Sequence, residues 1–105
     1  MSIIRALTAS AELVPAGTKG FLHSISFPSD DEDIYVKIRE DGVSDGDVRY
    51  RAHMDATTAL GDDNFSWKAG DPRGCEFPNG MYFDFSNDDG STAGTGTINV
   101  EYTPG

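Results

Sequence analysis

The sequence predicts an all-β fold: one single-domain antiparallel β-sandwich or jelly roll of about seven or eight strands spanning residues 1–105. Three observations predict it. Apolar residues recur with a period of two along several short segments, as they do on strands with one face in a core and one in water. Clusters of Gly, Pro, Asn and Asp separate those segments at short intervals, and each of these residues favours a turn for its own steric reason. No segment shows helical periodicity beyond a single turn over residues 57–61.

Taken in chain order, Ile3 to Leu7 is a short apolar run, and residues 1–11 read either as an N-terminal arm or as an edge strand of the sandwich. Pro15-Ala16-Gly17 then turns the chain into Gly20 to Phe27, with Phe21, Ile25 and Phe27 expected on one face and Leu22 on the other. Ile34, Val36 and Ile38 alternate with Tyr35, Lys37 and Arg39. Val48, Tyr50, Ala52 and Met54 alternate with Arg49, Arg51, His53 and Asp55. Asn64 to Lys68 is a shorter strand in which Phe65 and Trp67 share a face. Met81, Phe83 and Phe85 alternate with Tyr82, Asp84 and Ser86, and Ile98, Val100 and Tyr102 alternate with Asn99, Glu101 and Thr103. The stretch 90–96, GSTAGTG, reads as a flexible loop.

Composition narrows the function classes. With 105 residues the chain has room for one core and little spare surface for a deep cleft. Its net charge of −10 comes from 18 Asp and Glu against 8 Lys and Arg. Such a surface repels phosphate backbones and anionic lipid heads, so neither nucleic acid nor membrane is expected as a partner. A single cysteine, Cys75, forms no internal disulfide and fits synthesis in a reducing cytoplasm. The first residues lack the basic start and apolar run of a secretory signal.

Candidate sites are few. The acidic runs Ser29 to Asp33, Asp62-Asp63-Asn64 and Asn87-Asp88-Asp89 could offer oxygens to calcium, but none has the EF-hand spacing, and solvated turns account for them. His23 and His53 lie far apart, with no Cys or His at zinc-ligand spacing. Cys75 has no base beside it in sequence and reads as a small apolar filler or a partly covered thiol. The glycine-rich loop opens no helix and is not a phosphate loop. The expectation is therefore no catalytic residues, no metal, no cofactor and no enzyme. Trp67, Tyr35, Tyr82 and Phe65 could form an exposed aromatic platform for a sugar or a protein, or could cover the edge of the core. Arg49, Arg51 and His53, extended by Lys37 and Arg39, form a basic stripe that pairs either within the chain or across an interface between copies. Ile3, Ile4 and Leu7 add a third apolar contact candidate.

Three segments carry a family likeness. Residues 11–27 (AELVPAGTKGFLHSISF), 77–86 (FPNGMYFDFS) and 97–102 (TINVEY) together resemble the short β-sandwich proteins encoded among the virion structural genes of tailed bacteriophages. The resemblance implies a capsid decoration, or cement, protein. It would be made in the host cytoplasm and sit on the outer surface of the head as a homotrimer. Its partner would be the major capsid protein, whose subunit contacts it would stabilise. Alternatives in the same reading are a tail, baseplate or fibre-associated module, or a carbohydrate- or receptor-binding sandwich.

Overall fold

Nine strands and no helix are found among the described residues, which in this computed structural model are 2–28, 30, 32–56, 64–87, 94 and 96–104. They are β1 (Ile3–Leu7), β2 (Ala11–Val14), β3 (Gly20–Pro28), β4 (Ile34–Glu40), β5 (Val48–Met54), β6 (Asn64–Lys68), β7 (Cys75–Phe77), β8 (Met81–Ser86) and β9 (Ile98–Pro104). The expected turn over 57–61 lies outside the described residues. So does the loop 90–96, apart from Gly94 and Gly96. The count exceeds the expected seven or eight because β2 and β7, of four and three residues, are too short to show a period.

The strands form two antiparallel sheets. The first has the order β1-β9-β3-β6, with β7 sharing the outer edge of β3 alongside β6, and the second has the order β2-β8-β4-β5. Most successive strands change sheet, and β4–β5 is the one hairpin in the second sheet. This winding is the double Greek key of a jelly roll. It places the first strands of the two sheets at one side of the sandwich and β5 and β6 at the other, where Tyr50 packs against Trp67 across the gap with ring centroids 4.5 Å apart.

The core lies between the sheets. Leu22, Ile25, Phe27, Ile98, Val100 and Tyr102 come from one sheet, and Ile34, Val36, Ile38, Met81, Phe83 and Phe85 from the other. The central strands β3, β4, β8 and β9 supply these, and the edge strands add Leu7, Leu13, Val14, Ala52 and Phe77. Among the described residues no buried side-chain nitrogen or oxygen lacks a partner, which removes the main cost of burying a sheet face.

The expected facing of β3 is corrected by a bulge. Leu22 pairs with Tyr102 and Ser24 with Glu101, so His23 is the extra residue in the ladder against β9. One extra residue inverts the inward–outward alternation. Leu22, Ile25 and Phe27 consequently share the core, while Phe21 lies half-buried on the opposite face.

Three turns lock together at one end of the sandwich. The Gly17 amide donates to the Asn79 carbonyl at 3.0 Å, and the Asn79 side-chain amide donates to the Asp41 carboxylate at 3.1 Å. Asp41 is the one non-glycine at positive φ among the described residues (68°), a conformation that Asp tolerates better than most. Gly42 and Gly80 meet backbone to backbone beneath this contact.

Candidate functional site

The residues singled out in the sequence fall in three separate places. At the first, β1 forms an edge of its sheet, pairing among the described residues with β9 alone. Ile4 is 71% exposed and Ile3 39% exposed. Leu7, expected to join them, is buried in the core: Leu7 pairs with Ile98 and faces inward with it. Residues 3–7 are paired strand here, the edge-strand alternative for the segment.

The second place is the side where β5 and β6 close the sandwich. Trp67 pairs with Ile25 and, half-buried, packs against the core. Phe65 stacks on Phe27 with centroids 4.8 Å apart. The tryptophan is thus turned inward, and the aromatic platform of Trp67, Phe65, Tyr35 and Tyr82 is not assembled. Burial holds the Tyr50 hydroxyl above its ordinary pKa of 10.0 by desolvation. The folded chain therefore keeps this proton to higher pH than the unfolded chain does. That contribution is intact below about pH 10 and is lost as pH rises through the folded-state value. Denaturant unfolding at about pH 8 and about pH 11 is expected to show a larger loss for the native chain than for Tyr50→Phe; equal losses would remove Tyr50 as the cause.

Arg49 belongs to this second place as well. The register shifts between Ile38 and Arg39, leaving Arg49 without a partner in the ladder. Its guanidinium reaches across to the other sheet. It donates to the Glu76 carbonyl at 2.9 Å, pairs with Glu40 at 3.4 Å and lies 5.1 Å from the centre of the Phe77 ring. The bulge thus converts a member of the expected stripe into a clasp between sheets.

The third place is the outer face of β4, β5 and β8, which carries the rest of the stripe. Arg39 is held within the chain by Asp84 at 2.9 Å and the Gly46 carbonyl at 2.9 Å. Arg51 is exposed and makes no polar or ring contact among the described residues. Two cross-strand pairs, Tyr35 with His53 and Lys37 with Arg51, bound a shallow slot of about 220 Å³ floored by Val36 and Ala52. Tyr35 stacks on the His53 ring at 4.1 Å and 12°. Tyr82 lies on this face too, opposite Arg39. It is four residues along β4 from Tyr35, or about 13 Å, so the two tyrosines do not make one surface.

At the open end of the β4–β5 hairpin, the side chains of Asp33, His53 and Asp55 bring one ligand atom each to within 4.8 Å of one another. The His53 Nε2 is 3.1 Å from an Asp55 oxygen, and Asp33 accepts the Ala56 amide proton at 2.7 Å. Reading His53 for Cys or His neighbours missed this group. The signal was present in the strand period, which puts His53 and Asp55 on one face, and in hairpin register, which brings Asp33 opposite. Of the acidic runs, Asp30, Glu32, Asp33, Asn64 and Asn87 are among the described residues and the others lie outside them. Cys75, expected to be a small filler or a partly covered thiol, is exposed, because β7 is an edge strand.

No protein-family model, no curated protein and no solved structure matches this chain.

Proposed function

We propose that this chain is a non-enzymatic structural protein of a tailed-phage virion, a decoration protein that binds the outer head surface and clamps neighbouring major capsid protein subunits. The observation that carries the reading is the β1 edge. Folded proteins blunt exposed strand edges with charge, proline, bulges or a cover. Here β1 has no strand on its outer side among the described residues, Ile3 and Ile4 are exposed on it, and Arg5 is the one charge in the strand. A strand edge with apolar side chains suits β-augmentation, in which a partner's extended segment adds its backbone hydrogen bonds and fills pockets with alternate side chains. The acidity of the chain supports an outside position, away from packaged DNA. Copies held at several points on a lattice convert modest contacts into tight attachment, and Arg51 is the basic side chain placed to pair between copies of a homotrimer.

The test is sedimentation with expanded, undecorated capsids. The native chain is expected to co-sediment at a fixed ratio, in threes at each site, and to raise capsid melting. Ile4→Ser, at an exposed position and with no charge added opposite Glu101, is expected to weaken attachment about tenfold or more. Absence of the native chain from the capsid pellet would overturn the reading. Unchanged attachment of Ile4→Ser would remove β1 as the contact.

A further inference from the structure

We propose that Asp33, His53 and Asp55 form a site for a divalent transition-metal ion, with Zn²⁺ as the representative ligand. This departs from the expectation of no metal, which rested on the spacing of the two histidines and on the lack of EF-hand spacing in the acidic runs. It is independent of the virion reading, since it uses neither β1 nor a partner.

The donor set is the first argument. One imidazole nitrogen and two carboxylate oxygens suit Zn²⁺, which binds nitrogen and oxygen at about 2.0–2.2 Å with four ligands. Tetrahedral bonds of that length set ligand atoms about 3.3 Å apart. His53 Nε2 and the Asp55 oxygen already lie 3.1 Å apart, and all three donors fall within 4.8 Å. Small side-chain rotations close the remaining distance. The ligand set leaves the fourth position to water. Two carboxylates and a neutral imidazole cancel the charge of the ion.

Pre-organisation is the second argument. The His53 ring is held flat against Tyr35 at 4.1 Å, which fixes the plane in which its nitrogens lie. Asp33 is anchored through the Ala56 amide, which leaves its other oxygen to act as ligand. Both strands of the hairpin are registered by the Ile34–Met54 and Tyr35–His53 pairs. The metal would therefore bind to a site that is already folded and would lose little entropy in ordering it.

Electrostatics is the third. One residue beyond the Ile34–Met54 pair, Asp33 and Asp55 bring carboxylate oxygens within 4.8 Å of each other, and like charges that close destabilise the hairpin end. The His53–Asp55 contact answers for one carboxylate at most. A divalent cation answers for both.

The experiment uses the full chain with Cys75→Ser, because the exposed thiol is a competing zinc ligand. Zn²⁺ is added up to about 1 mM, with melting temperature and amide NMR shifts as readouts. The expected result is a rise of about 5 °C or more, reversed by EDTA, with shifts concentrated at residues 33, 53 and 55 and their neighbours. His53→Ala and Asp33→Asn, both outward-facing, are expected to fold normally by metal-free circular dichroism and each to weaken zinc binding at least tenfold. No stabilisation at the highest zinc concentration would overturn the proposal. So would equal stabilisation of His53→Ala and its parent.

Discussion

Phe83→Ala is expected to destabilise the chain by about 3–5 kcal/mol, a large part of the roughly 5–15 kcal/mol that holds a domain of this size together. Phe83 is fully buried at the centre of β8, which is itself flanked by β2 and β4. Its backbone pairs with Ala11 on one side and Ile38 on the other, so neither neighbouring strand can move in to fill the space. The loss therefore combines transfer of the ring with a persistent cavity. Melting should fall by roughly 15 °C or more, with the denaturant slope unchanged. Phe65→Ala supplies the comparison. Phe65 is half-buried on the short strand β6 and stacks on Phe27 from the edge, so its removal is expected to cost about half as much. Equal losses for the two variants would mean that the sandwich core is not where the structure puts it.

Gly80→Ala is expected to cost roughly 3 kcal/mol although it adds a single methyl group. Gly80 has φ +121°, a region that residues with a Cβ rarely occupy. A Cβ there would sit 2.8 Å from the Gly42 nitrogen and 2.9 Å from the Pro15 oxygen. Both are backbone atoms of turns that are already tied to one another, so the substitution strains three connections at once. Gly17→Ala separates conformation from collision. Gly17 also has positive φ, at 85°, but a Cβ there meets nothing within 4 Å. It is expected to lose only about 1 kcal/mol. Urea unfolding of the two variants measures the difference, and a cost at Gly80 no greater than at Gly17 would show that the locked turns carry no stability.

Much of the fold was legible in the sequence. Alternation in β4, β5, β8 and β9 announced both the strands and their inward faces, because side-chain direction on a strand is a local property with a period of two. Trp67 and Phe65 were correctly assigned to one face, although whether that face was inward or outward was not evident. A four-residue and a three-residue strand carry too few alternations to stand out, so β2 and β7 were missed. The facing of Phe21 and Leu22 came out reversed, because a bulge at His23 leaves no mark in composition.

The proposed metal group shows the same division. The pairing of His53 with Asp55 needed only the strand period. Asp33 needed the β4–β5 register, and the expected stripe lost Arg49 to another bulge. The sequence by itself determined that this chain forms strands, which sides of the central ones are apolar, and that the surface is acidic. Only the tertiary structure decided which strands lie at edges, where Arg49 points and which side chains meet at the hairpin end. The physical reason is that inward–outward preference is encoded residue by residue, whereas register and bulges are set by pairing between segments far apart in the chain.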